Sequence, residues 1–197
     1  MPDTAPGATP LDPDEARGLI PAHIATRGQL NEWELQNIVE GRVWASGLRG
    51  ADLLSLDFIQ KLHQRMFGKT WRWAGTIRST EKNIGVEPAQ IRVRLTELCR
   101  DVEAQVQNRA YPVREIAARF HHRLVMIHPF PNGNGRFARL LADLLLARHG
   151  EPPFAWGAGD PSAPDDIRQR YIAALRAADG SDYGPLFTFV RLDGKRR

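Results

Sequence analysis

The chain has 197 residues, a formal net charge of +4 and an isoelectric point near 9.6, with 42% hydrophobic residues and a single cysteine. That length and apolar content support one sizeable core and call for no second domain. One cysteine excludes an internal disulfide, and no signal peptide and no apolar run of roughly 18 residues is found, so a cytoplasmic protein with no membrane partner is expected.

The first 14 residues, MPDTAPGATPLDPD, carry no apolar period and read as a flexible or surface-hugging arm. Residues 1–25 are therefore set apart from a domain over 26–192 and a basic tail over 193–197. The tail holds the only basic cluster, GKRR; elsewhere Lys and Arg alternate with Asp and Glu, so nucleic acid is not an expected partner.

Helices are predicted nearly throughout. TRGQLNEWELQNIVEGRVWASG opens with Thr26 and, three residues on, Gln29, a capping box, and stops at Gly47. SLDFIQKLHQRMFG repeats the plan between Ser55 and Gly68. Residues 70–88, TWRWAGTIRSTEKNIGVEP, resist helix assignment; Gly75 and Gly85 among β-branched residues suggest a short hairpin, entered past Trp71 and Trp73 as core or hinge anchors. A long helix follows in AQIRVRLTELCRDVEAQVQ, with Cys99 as a buried or half-buried thiol rather than a nucleophile. Another, PVREIAARFHHRLVMIH, delivers the chain to His128. Within it, His121 and His122 lack metal-ligand spacing and are expected to pack. After a Leu-rich helix ending at Gly150 and a Pro/Gly-rich loop, DDIRQRYIAALRAADG and YGPLFTFVRL close the fold.

The segment HPFPNGNGRFAR, running from His128 to Arg139, poses a physical problem. Helical periodicity in FARLLADLLLARHG puts Arg136 and Arg139 in its first turn, where cations oppose the helix dipole by a few tenths to about 1 kcal/mol each unless an anion binds there. Gly133 and Gly135 flank Asn134 and can bring bare backbone N–H groups close to a ligand. The two arginines, three apart, share a helix face. Two guanidiniums, a nest of N–H groups and a free helix end suit a polyphosphate better than one carboxylate. His128, one loop upstream, can serve as a base near neutral pH, and Phe130 reads as the core anchor of the loop.

This segment resembles the Fic motif, H-x-F-x-[D/E]-G-N-G-R-x-x-R, at every fixed position but one. WAGTIR resembles the start of the Fic substrate-positioning flap, and YIAALRAADGSDYGPL is similar to the end of a Fic core. With ATPLDPDEA, LNEWE and TEKNIGV, the whole chain is similar to the bacterial Fic-domain subgroup called mobile mystery protein B. The resemblance implies an all-α Fic fold, a helical bundle around the motif helix with a short β-hairpin flap. It also implies transfer of AMP from ATP, with Mg²⁺, to a Ser, Thr or Tyr hydroxyl of a target protein, in a toxin-like or mobile-element setting.

By that resemblance His128 is the general base, Gly133, Asn134 and Gly135 form the anion cradle with Asn134 at the α-phosphate, and Arg136 and Arg139 hold the β- and γ-phosphates. Gly135 stands where the kinase-like branch carries lysine, which favours nucleotidyl over phosphoryl transfer. Asn132 stands where the family has its acidic metal ligand; an amide supplies one neutral oxygen, so weak metal binding through the triphosphate is implied. In the flap, Thr76, Ile77, Arg78, Lys82 and Asn83 are the residues expected to meet a target segment by strand addition. No Ser or Thr has a glutamate four residues later, as the family's inhibitory helix requires. Either an antitoxin-like partner supplies that glutamate or LNEWELQNI uses Glu32 or Glu34 against Arg139. A Fic-fold module that binds nucleotide or a partner protein without chemistry is the alternative to an adenylyltransferase.

Overall fold

The computed structural model describes residues 13–48, 50–158 and 163–191. The helices are α1 (Pro13–Ala16), α2 (Arg27–Ser46), α3 (Leu56–Phe67), α4 (Ile91–Gln107, entered through the 3-10 turn Pro88–Gln90), α5 (Val113–Ile127), α6 (Asn134–Arg148), α7 (Pro164–Asp179) and α8 (Gly184–Val190). Residues 1–12 of the arm and 192–197, which include the basic tail, lie outside the described residues.

Local signals set several of these ends. The Thr26 hydroxyl accepts the Gln29 N–H and the Gln29 amide oxygen accepts the Thr26 N–H, closing the capping box of α2. The Ser55 hydroxyl caps α3 through the Phe58 N–H, and Gly68 ends that helix. α6 runs through the centre, burying Phe137, Ala138, Leu141, Leu145 and Leu146 against α5 and its neighbours. α2 and α3 pack together on one flank, α7 and α8 on another. Asp143, a buried carboxylate whose pKa burial raises, accepts from the Phe154 N–H and the Trp156 indole and so ties the loop after α6 back onto that helix.

The predicted hairpin is absent. Among the described residues there is no strand, only an isolated antiparallel bridge between Leu19 and Trp71, and residues 76–87 form an irregular loop. Its backbone is satisfied by another device. The buried Arg78 guanidinium donates to the carbonyls of His128 (2.6 Å), Thr80 (2.8 Å) and Val86, and the Arg78 N–H donates to the Pro129 carbonyl. Carbonyls that a ladder would have paired converge on one side chain.

Candidate active site

The chain leaves α5 at His128 in the left-handed conformation, φ 52° and ψ 61°, with its N–H donating to the Leu124 carbonyl. A non-glycine residue there costs on the order of 1 kcal/mol. The turn swings the imidazole inward, leaving the residue 4% exposed. Burial first, then the charge of Arg78, holds its pKa down at about 4, with Lys82 adding to the effect and a hydrogen bond to the Val125 carbonyl opposing it. At neutral pH the ring is uncharged, the state a proton acceptor needs.

Between His128 and α6 the loop is stapled by its own side chain. Asn134 Oδ1 accepts from the Phe130 N–H (2.9 Å) and Nδ2 donates to the Phe130 carbonyl (2.8 Å). The Asn134 amide, buried and bonded on both atoms, is turned into the loop, which leaves the backbone N–H of this residue to face the start of α6. Gly133 takes φ +79°, and a Cβ on it would meet the Phe67 ring at 2.8 Å, so only glycine fits. No side chain caps the helix, and the N–H groups of Asn134, Gly135 and Arg136 have no acceptor within it. Asn132 accepts the Gly133 N–H on Oδ1 at 2.7 Å.

The two arginines are held differently. Arg136, 40% exposed, lies over the Phe67 ring at 5.0 Å and donates to Glu34 Oε2 at 2.6 Å. Glu34 is buried, and its Oε1 accepts the Trp71 indole N–H at 2.6 Å. The expected pairing of an α2 glutamate with Arg139 is therefore replaced by one with Arg136, while Glu32 sits on the exposed side of the helix. Arg139 is enclosed by aromatic rings, its guanidinium 4.3 Å from the Tyr171 centroid and 5.8 Å from that of Trp156. Its Nε is buried with no hydrogen-bond partner among the described residues.

Of the five flap residues, Thr76 and Asn83 are exposed and Ile77 is half-buried against the core. Arg78 is spent on carbonyls, and Lys82, its side chain 3% exposed, donates to Glu15 Oε2 at 2.6 Å. Both are turned into the protein. His121 packs as expected, bonded to the Tyr171 hydroxyl (2.9 Å), and His122 to Asp179 (2.8 Å). Among the described residues no group of His, Cys, Asp and Glu could hold a metal ion, and burial raises the Cys99 thiol to about 11.

Sequence reasoning passed over Glu15, Gln60, His63, Trp71 as a partner of Glu34, and Tyr171. All lie within segments already quoted, but nothing in those segments shows which partner each side chain meets; the Tyr171 hydroxyl, for one, is 3.6 Å from where a Gly135 Cβ would stand.

An all-helical bundle whose central helix starts from this loop is the architecture of Fic domains. Residues 53–146 match the Fic/DOC family, and the chain belongs to it. It is 33% identical over 144 residues to protein adenylyltransferase fic-1 of Caenorhabditis elegans, covering 71% of this chain and 27% of that protein. Against protein adenylyltransferase Fic of Drosophila sechellia it is 30% identical over 185 residues, 89% of this chain and 36% of the relative. The chain thus spans between about a quarter and a third of the length of these curated relatives. The structure of C. elegans Fic-1 residues 134–508 superposes with a TM-score of 0.65 at 28% identity over 88% of this chain and 51% of that one. BepC, a VirB-translocated effector of Bartonella tribocorum solved with bound AMPPNP, superposes with a TM-score of 0.69 at 18% identity over 91% and 96% of the two chains and shares the fold.

Proposed function

We propose that the protein transfers AMP from ATP to a Ser, Thr or Tyr hydroxyl of a target protein. The observation that carries this reading is the uncapped start of α6, with its N–H groups, Arg136 and the unpartnered Nε of Arg139, joined by one stapled loop to a buried, uncharged histidine. ATP serves as substrate. The N–H groups of the first turn receive phosphate oxygens, and Arg136 and Arg139 stabilise charge on the departing pyrophosphate. The target oxygen forms its bond to the α-phosphorus, the bond from that phosphorus to the bridging oxygen breaks, and the hydroxyl proton passes to His128. The named activity of the relatives and the nucleotide in BepC support the assignment.

Mg²⁺ fits this chain poorly. The motif offers the metal one neutral oxygen, that of Asn132, which already accepts the Gly133 N–H. The same observation favours the second reading, a Fic-fold module that binds nucleotide without transferring AMP. Glu34 acts as an internal restraint, because phosphate and its carboxylate compete for the Arg136 guanidinium. The target protein meets the site along residues 76–88, through exposed Thr76 and Asn83. Incubating the purified chain with α-labelled ATP and a lysate decides between the readings: labelled protein bands lost in His128→Ala support transfer, whereas ATP binding without any label supports the binding module.

A further inference from the structure

α3 contributes a residue that the proposed chemistry does not use. His63 is fully buried, and both of its ring nitrogens are engaged. Nδ1 lies 3.0 Å from the Gly75 N–H, which can only donate, so Nδ1 is the acceptor and the ring proton resides on Nε2. Nε2 in turn donates to the Asn132 carbonyl at 3.1 Å. The ring stacks on Phe130 with centroids 3.7 Å apart, and Phe67 closes on it at 4.7 Å.

The two groups it joins are the pivots of the site. Asn132 precedes Gly133, so fixing its carbonyl fixes the peptide plane that leads into the cradle. Gly75, at φ +82°, opens the flap; a Cβ there would lie 2.8 Å from the Gln60 carbonyl oxygen. Its own carbonyl accepts from the Gln60 side-chain amide at 3.0 Å. Gln60 and His63, three apart, project from one face of α3, so Gly75 is gripped through both backbone groups by that helix. The flap beyond it reaches the His128 carbonyl through Arg78.

The geometry points to His63 as a positioning residue that, in its Nε2–H form, sets the cradle loop and the flap hinge at a fixed separation, so that a target hydroxyl and a bound nucleotide meet in register. The inference rests on the transfer reading for its consequence, and on the two hydrogen bonds for its substance. Burial keeps the ring uncharged, its pKa near 3; a protonated ring would turn an N–H against the Gly75 N–H.

The test uses the full chain. Nitrogen NMR of the wild type should show protonated Nε2 and bare Nδ1 at His63; the other tautomer overturns the proposal. In His63→Asn the amide oxygen takes the place of Nδ1, so the Gly75 amide keeps its exchange protection while the Kd for ADP rises about three- to tenfold, the worth of one hydrogen bond. In His63→Gln the amide nitrogen reaches the place of Nε2, so ADP affinity stays near wild type, Gly75 loses protection by a similar factor, and KM for the target rises with kcat little changed. Should both variants lose both properties in step with a fall in Tm, His63 is a packing residue only and the proposal fails. Tautomer and exchange are read without nucleotide or target. A wild type that transfers nothing but shows the predicted split therefore supports the positioning role and counts against the proposed function alone.

Discussion

The cradle loop and the flap both border the candidate active site, yet they are built on opposite plans. The loop from His128 to Arg139 is held largely by itself: Asn134 bonds the backbone of Phe130 four residues back, Gly133 supplies its own positive φ, and α6 begins at once. The flap has almost no internal order. It is held by side chains rather than by a ladder: Arg78 gathers two of its carbonyls together with that of His128, Lys82 reaches Glu15, and α3 grips Gly75. A region closed by local bonds tolerates change elsewhere in the chain, whereas a region closed by distant side chains depends on each of them.

The difference can be tested by breaking each side in turn. The largest effect is expected at His128. His128→Ala should lower transfer by about 10²–10⁴-fold, the range for a positioned acid or base, with ATP affinity changed little; single-turnover rates and calorimetry read the two. Since the folded pKa is about 4, transfer in the wild type should show no titration near 6.5. An inflection there would remove His128 as the base.

Arg78→Ala should come next. It strands the buried carbonyl of His128, worth about 1–3 kcal/mol when left unpaired, and frees the part-buried carbonyls of Thr80 and Val86. Cleavage in the loop over residues 76–88 under limited proteolysis should therefore appear before any loss of ADP binding. Arg78→Lys should rescue little, because one ammonium cannot span the fork that three carbonyls occupy. Equal loss of flap order and nucleotide binding would mean that the two regions are not separable.

Acid should unfold the protein early through three buried rings. His63 and His121, both near 3, and His128, near 4, have folded pKa values below the ordinary 6.5, each chiefly because of burial. The unfolded chain then binds more protons between those limits. The stability they contribute is fully present above 6.5 and is lost as the pH falls through the window from 6.5 towards 3, by roughly 1–2 kcal/mol per histidine at pH 5. Urea midpoints between pH 7 and 5 check the slope.

Two smaller changes sharpen the cradle itself. Glu34→Gly should release Arg136 and tighten ATP by about three- to tenfold, the span of a charge-assisted bond net of competing water. An unchanged Kd would show that Glu34 serves α2 and Trp71 rather than the site. Asn132→Asp keeps the acceptor for the Gly133 N–H and adds a charge, so the Mg²⁺ concentration needed for transfer should fall a few-fold. If stripping the metal with EDTA affects wild type and variant alike, a carboxylate deficit is not what distinguishes this motif.

What could be read in the sequence follows the same division. The Thr26–Gln29 box, the Ser55 cap, the glycine stops and the start of the motif helix are bonds spanning a few residues, and residue order displays them directly. The mistaken hairpin came from treating 70–88 as a chain that must pair backbone with backbone, when one of its own side chains, Arg78, takes two of its carbonyls and the carbonyl of His128 fifty positions away. Glu34 was singled out, but the arginine it meets depends on how α2 lies against α6, which no spacing records. His63 looked like one more residue of an amphipathic helix, because nothing in its neighbours announces Gly75 or Asn132.

The segment before α2 has a practical bearing. Glu15 accepts the Lys82 ammonium, its carbonyl accepts the Trp73 indole N–H, the Ile20 N–H donates to the Thr70 carbonyl, and the Gly18 carbonyl takes the Arg72 N–H. A truncation at residue 25, where composition alone would trim a tail, removes all four bonds and takes the carboxylate away from a buried lysine in the flap. Such a shortened chain would behave as a flap variant, so activity assays on trimmed material would report on the missing clasp as much as on the motif.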